Sequence, residues 1–175
     1  MVCICLVIFI DMSSKLNSVQ QALLKKIGNR TIYRLVSLTK LPMALISGTR
    51  IDAITEEICS TSVRYRYINK NPFNSTYFAV LGMAAELSTG ALALLAAGGV
   101  SSDISFIITD MNARFMKKAT GRTTFTCREG HNLLDAAIDA RQTPDGRVAT
   151  VKTEGFNKDG ELVAEFEFTW SFKKR

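Results

Sequence analysis

The stretch that most constrains the fold of this chain runs from Asn71 to Gly99, NPFNSTYFAVLGMAAELSTGALALLAAGG. Tyr77 to Ala97 is apolar on nearly every side, the signature of a helix enclosed by other structure or by a membrane. Asn71, Pro72, Asn74, Ser75 and Thr76 supply turn and capping chemistry ahead of it, and Gly98-Gly99 is the expected stop. One carboxylate, Glu86, falls near the middle. Burying a carboxylate costs several kcal/mol, in order of magnitude, unless it is paired or neutralised. Two questions follow: what wraps the helix, and why Glu86 is tolerated in it.

A chain of 175 residues with 47% hydrophobic content suits one domain with a modest extension and a sizeable core. The net charge of +6 favours anionic partners. The 16 acidic residues are interspersed, no nucleic-acid fingerprint appears, and nucleic acid is set aside. Cys3, Cys5, Cys59 and Cys127 make no disulfide framework at this length. Cys3 and Cys5 with the single histidine, His131, are a poor zinc set. Free thiols in a reducing cytoplasm are expected, with no metal site.

The apolar opening, MVCICLVIFI, lacks a basic region and a small-residue cleavage site, so it does not read as a signal peptide. It is too short to span a bilayer. Either Met12 is the natural start, or residues 1–11 form a membrane-seeking or partner-seeking tail. The central helix is long enough to span on length alone. Glu86, the interrupting glycines and the strands around it argue against an integral span.

Residues 13–28 predict an amphipathic helix with Leu16, Val19, Leu23, Leu24 and Ile27 on one face, Ser13 or Ser14 as cap and Gly28 as terminator. A second helix, Thr31 to Thr39, carries Ile32, Leu35, Val36 and Leu38 and is stopped by Pro42. These elements, residues 1–40, read as an extension packed on a main domain of residues 41–175. From Arg50 to Tyr67 the period becomes two, a strand pattern, with a bend at Thr55-Glu56-Glu57. Ile104 to Phe115 and Arg122 to Arg128 read as strands separated by a turn at 117–121. Leu133, Leu134, Ala137 and Ile138 suggest a short helix, with partial strand as the alternative. Arg147 to Phe156 and Glu161 to Phe172 form the clearest hairpin, joined by Asn157-Lys158-Asp159-Gly160. Its second strand alternates Leu162, Ala164, Phe166, Phe168, Trp170 and Phe172 against a polar face, and packs its apolar face on the central helix.

The order is helices, strand, long buried helix, then antiparallel strands. With the residues of 71–86, it resembles the α+β hot-dog fold, and within it the PaaI-like acyl-CoA thioesterases. That family places an Asn six residues before His-Gly-Gly, then an Asp or Glu nine residues after the His. Asn71, Tyr77 and Glu86 hold those spacings. Asn112-Ala113-Arg114-Phe115 with Ala119-Thr120-Gly121 resembles the family's strand and turn, and 159–164 its terminal hairpin. Tyr77-Phe78-Ala79 stands where the family has His-Gly-Gly, which points to an uncharacterised branch.

The resemblance implies a homodimer or a tetramer, with its site at the subunit interface. It implies no metal or cofactor, CoA entering only as part of the substrate. Glu86 would be the catalytic carboxylate, as base toward water or as nucleophile. A carboxylate in an apolar helix also tends to a raised pKa, which suits base work; an ion-paired Glu at a dimer seam is the alternative. The N–H groups of Phe78 and Ala79 would polarise the thioester carbonyl, or serve as ordinary helix capping. Asn71 would orient water or substrate, or hold its loop. Tyr77 would close the site, and Thr89 would bind water or pack in the core. Lys117, Lys118 and Arg122 would meet the CoA phosphates, or form a solvated edge. His131 lies outside the helix motif, which argues against hydratases that pair a His with the carboxylate and against Ser or Cys triads. The resemblance thus implies acyl-CoA hydrolysis, with a non-catalytic acyl- or lipid-binding hot-dog dimer as the alternative.

Overall fold

The structure, a computed structural model, describes residues 17–101 and 103–175. The expected apolar tail and the start of the first predicted helix lie outside the described residues. Eleven helices and strands follow one another. Three helices come first, α1 (Ser18–Gly28), α2 (Arg30–Lys40) and α3 (Pro42–Ser47), then β1 (Arg50–Ile54) and β2 (Cys59–Arg64). The long α4 (Phe78–Val100) precedes β3 (Ile104–Phe115), β4 (Arg122–Cys127), α5 (Gly130–Gln142), β5 (Arg147–Phe156) and β6 (Leu162–Lys174). All six strands join one antiparallel sheet in the order β1-β2-β4-β5-β6-β3. The sheet wraps α4, the hot-dog arrangement of one long helix in an antiparallel sheet.

The reason lies in α4 itself. Leu81, Ala84, Ala85, Leu92, Ala93, Leu95, Ala96 and Ala97 are buried at positions spread around the helix, so no single flat layer can cover it. The many alanines let the strands come close. The inward face of β6 supplies Phe166, Phe168, Trp170 and Phe172, each 4% exposed or less. Burying one such ring stabilises the fold by roughly 1.5–3 kcal/mol. The rings continue one another, Phe125 edge-on to Phe166 at 5.7 Å and Phe166 stacked on Phe168 at 5.9 Å. Hydroxyls tie helix to sheet: Thr61 Oγ1 on β2 donates to the Ala84 carbonyl at 2.5 Å, and the Ser88 and Thr153 hydroxyls meet at 2.8 Å. α5 lies beside α4 over β5, burying Leu133, Ala136, Ala137 and Ala140. The 130–142 segment is helix throughout, which settles the helix–strand ambiguity of its sequence.

Several local expectations are corrected. Gly98-Gly99 does not end α4, which continues to Val100. These glycines instead admit α1: a Cβ on Gly98 would lie 2.8 Å from Leu23 Cδ1, and one on Gly99 would overlap the Gln20 side-chain amide. α1 is capped by Asn17, which forms a reciprocal capping box with Gln20, and not by Ser13 or Ser14. Pro42 does more than stop α2. It opens α3 at the first helical turn, where its missing N–H costs nothing. The strand expected to reach Tyr67 ends at Arg64, and Tyr67–Asn69 forms a 3₁₀ turn held by Asn69, whose Nδ2 donates to the carbonyls of Ser47 and Arg64. α2 turns Ile32, Leu35, Val36 and Leu38 outward and packs through Tyr33 and the fully buried Ser37.

The strand glycine Gly155 stands opposite Phe125 on β4, and a Cβ there would fall within the Phe125 ring's contact distance. Phe125 is fully buried and has nowhere to move. Gly155→Ala should therefore lower stability by about 1–3 kcal/mol, the usual cost of overpacking, read as a reduced Tm in thermal denaturation. Gly121→Ala, which faces open space, should stay close to the native Tm. Equal Tm values for the two would show that the β4–β5 contact yields.

Candidate active site around the central helix

One stripe of α4 escapes the sheet. Ala79, Gly82, Met83, Glu86, Gly90 and Leu94, spaced three and four residues apart, are half-buried or exposed, while Ala84, Ala85, Ser88 and Thr89 between them are buried. Glu86 sits in that stripe. Among the described residues no cation pairs with it, and burial alone pushes its carboxyl above the usual carboxylate range.

The carboxylate is seated by its neighbours. A Cβ on Gly90, one turn along, would lie 2.7 Å from Glu86 Oε1 and 3.2 Å from Trp170 Cη2. Gly90 is the gap that lets Glu86 and the Trp170 ring share this place. Trp170 Nε1 donates to Thr89 Oγ1 at 3.1 Å, and Thr89 Oγ1 donates to the Glu86 carbonyl at 3.1 Å. Thr89 is fully buried and both its donor and acceptor roles are taken. It fixes Trp170 against the helix. Tyr33 of α2 lies near Glu86. Burial raises its phenol pKa, with a nearby Ser37 contact working the other way and the Glu86 charge adding to the rise.

The N-terminal end of α4 forms a separate place. Tyr77 is the N-cap and no side chain caps the first turn, so the N–H groups of Phe78 and Ala79 stand outside the helical ladder. The Tyr77 and Phe78 rings, both exposed, lie 4.8 Å apart, and Phe78 meets Phe115 edge-on at 6.3 Å. Phe78, Phe115, Asn71, Lys117 and Lys118 share the lining of a cavity of about 340 Å³. Asn71 is occupied with its loop. Its Oδ1 accepts from the backbone N–H of Phe73 and of Ser75, and its Nδ2 donates to the Ser75 hydroxyl. Lys117 pairs with Glu161.

The structure therefore brings Asn71, Phe78, Lys117 and Lys118 together. Glu86 lies seven residues along the helix from Ala79, about 10 Å at 1.5 Å per residue. Arg122 is elsewhere again. It lines a second cavity with Arg34, Arg50, Arg64 and Arg66. Sequence reasoning missed this group, although Ser62, Arg64 and Arg66 alternate along one face of the β2 pattern. It also passed over Tyr33 and Gly90, whose roles arise only when distant elements meet.

The sequence profile of a domain of unknown function, DUF4442, matches residues 28–172. No curated protein matches the sequence significantly. Among solved structures, the chain resembles PA5026 of Pseudomonas aeruginosa, a protein of unknown function described as a probable thioesterase. The TM-score is 0.71 at 21% identity, over 84% of this chain and 97% of that one. It resembles OLEI01261 of Chlorobaculum tepidum, of unknown function, with a TM-score of 0.71 at 12% identity, over 90% and 95% of the two chains. Thioesterase HI1161 of Haemophilus influenzae gives a TM-score of 0.59 at 14% identity, over 80% and 88%. At these identities the likeness shows the hot-dog fold.

Gly90→Ala tests how Glu86 is seated. The added methyl should push the carboxylate toward solvent, so that its pKa moves down toward the ordinary range while Tm falls. Carboxyl-carbon NMR titration with thermal denaturation measures both. An unchanged Glu86 titration with a lowered Tm would mean that Trp170 gives way instead.

Proposed function

The chain belongs to the DUF4442 family of domains of unknown function, and on that premise we propose that it is a hot-dog thioesterase of the PaaI-like kind, hydrolysing an acyl-CoA thioester to free acid and CoA. The observation that carries this reading is Glu86, an unpaired carboxylate on the open stripe of α4 whose pKa is raised by burial. A base poised nearer neutrality takes a proton from water more effectively. Water attacks the thioester carbonyl carbon as its proton passes to Glu86, the C–S bond breaks, and the proton goes on to the departing thiolate. The chemistry calls for no resident cofactor.

Geometry favours a site made by two copies. A reacting carbonyl must lie about 3 Å from both the attacking water and the oxyanion donors. Within one chain the open N–H groups of Phe78 and Ala79 stand about 10 Å from Glu86 along the helix. Donors from one subunit and Glu86 from another remove the conflict. β3 supports such a pairing. It is an edge strand of 12 residues, with Ile107, Met111 and Phe115 exposed, and an edge of this kind invites a second strand. We place two β3 strands edge to edge in a homodimer, with a tetramer as a larger form. The buried free thiols Cys59 and Cys127 suit a reducing cytoplasm. Light scattering at micromolar concentration should give at least twice the chain mass; a stable monomer removes the shared site.

Glu86→Gln tests the chemistry. It should reduce kcat/KM on acyl-CoA substrates by about 10²-fold or more, with Tm unchanged or higher, since a carboxylate that is costly to ionise is replaced by a neutral isostere. In the native protein activity should fall as pH drops through the raised Glu86 pKa. The stability sign is opposite to that of an ion-paired carboxylate. The folded state holds the Glu86 proton more tightly than the unfolded one, so stability is greatest below the ordinary carboxylate pKa and declines as pH rises to the raised value. Glu86→Gln should flatten that decline. Unchanged hydrolysis in the variant would overturn the assignment and favour a non-catalytic acyl-binding dimer, with the Tyr77 and Phe78 rings over the site.

A further inference from the structure

The second cavity, about 500 Å³, opens between the N-terminal helices and the β1 side of the sheet. Five arginines line it: Arg34 of α2, Arg50 of β1, Arg64 at the end of β2, Arg66 just beyond, and Arg122 of β4. Arg64 and Arg122 are direct cross-strand partners, and like charges in that relation repel. The carboxylate of Asp52 holds Arg50 at 3.1 Å and Arg122 at 2.7 Å. No ion pair to Arg34, Arg64 or Arg66 is made among the described residues. The Arg66 guanidinium rests against Gly48, where a Cβ would lie 3.3 Å from Nη1 and φ is +79°, so the turn before β1 is shaped to let the guanidinium approach.

A buried donor sharpens this. Arg122 Nε is enclosed and has no hydrogen-bond partner among the described residues. Buried polar groups are ordinarily satisfied. Guanidinium forks match phosphate oxygens in pairs and keep their charge at any working pH.

We propose that this arginine cavity binds a phosphate-bearing ligand, with Arg64 and Arg66 on the phosphate oxygens and Arg122 beside them. Two sources share that chemistry: the adenosine 3′,5′-bisphosphate and pyrophosphate end of a CoA substrate, and a free phosphoanion. The first rests on the thioesterase reading; the second does not. Lys117 and Lys118 lie in the other cavity, beside Phe78, so the phosphate contacts fall to residues that the sequence pattern passed over, with Arg122 as the one common member.

Isothermal titration of the full chain with pyrophosphate, adenosine 3′,5′-bisphosphate and CoA tests the site. Binding is read without turnover, so a failure of Glu86 chemistry leaves the result standing. All three probes should bind, with affinity falling as salt rises. Arg64→Gln with Arg66→Gln should weaken each at least about tenfold, the scale of one lost charge-assisted contact. Arg64→Gln alone changes one exposed side chain. It should weaken binding several-fold with Tm retained, and so serves if the double variant fails to fold. Lys158→Gln in the β5–β6 turn should change nothing. CoA binding that adenosine 3′,5′-bisphosphate displaces supports the substrate source. Pyrophosphate binding without CoA binding supports the free phosphoanion and rejects the substrate source. No binding by any probe, or binding that both arginine variants leave unchanged, overturns the proposal.

Discussion

A 23-residue helix with no polar face is the constraint on which the molecule depends. By length and composition such a helix is long and apolar enough to cross a bilayer, a test that the core helix of a globular fold passes equally. Here the cover is a six-stranded antiparallel sheet whose inward positions are mainly aromatic and β-branched. The cover is possible because α4 is rich in alanine. Short side chains bring the strands close enough that Phe166, Phe168, Trp170 and Phe172 fill the space between. The same logic of small residues explains how α1 docks at the far end of the helix, over Gly98 and Gly99.

Where the sheet stops, the helix meets the surface. A wrapped helix has an open seam between the edges of its wrapper, and Glu86 occupies that seam. A site fully inside the core would lock the carboxylate in its neutral form. One fully in water would leave it an ordinary acid. Partial burial without a cation lies between these limits and raises the proton affinity without removing access. On the β1 side the opposite condition holds. Arginines gather there around Asp52, and among the described residues Arg122 Nε has no acceptor. The chain thus separates an acidic centre from a basic one, with Tyr33 near the first and lining the second.

Much of the fold was legible because its signals are periodic. The uninterrupted apolar run of α4, the alternation from Leu162 to Phe172 and the turn at 157–160 each state an element and a buried face without outside help. Glu86 stood out as the lone carboxylate of an apolar segment, and its spacing from Asn71 added to that. The misses share a different cause. Gly98-Gly99 looks the same whether it ends a helix or admits another one. Pro42 looks the same whether it stops a helix or starts one. The apolar ridge of α2 promised an inward face, yet Tyr33 and Ser37 took it, since a short helix packed against α1 and α3 orients by what it meets there. Thr89 and Asn71 were legible as polar residues near the site. That their hydrogen bonds are spent on Trp170 and on the 71–75 loop depends on distances no linear pattern carries. The arginine cavity joins α2, β1, β2 and β4, four segments far apart in the chain, and only the folded sheet makes them neighbours.

The hydroxyl ties between α4 and the sheet have a consequence of their own. An amphipathic helix is turned to its proper angle by its own asymmetry, because any other angle buries charge or exposes oil. α4 has almost no such asymmetry, so its angle is set by what fits at each position: Gly90 under the Trp170 ring, Gly98 and Gly99 under α1. Thr61 on the Ala84 carbonyl and Ser88 on Thr153 act as an angular index beside them. Each step of one residue is a turn of about 100°, which would break both bonds and carry Glu86 from the seam into the aromatic interior. Two modest hydrogen bonds, each worth about 1 kcal/mol, and three missing side chains thereby share in deciding which way the acid points.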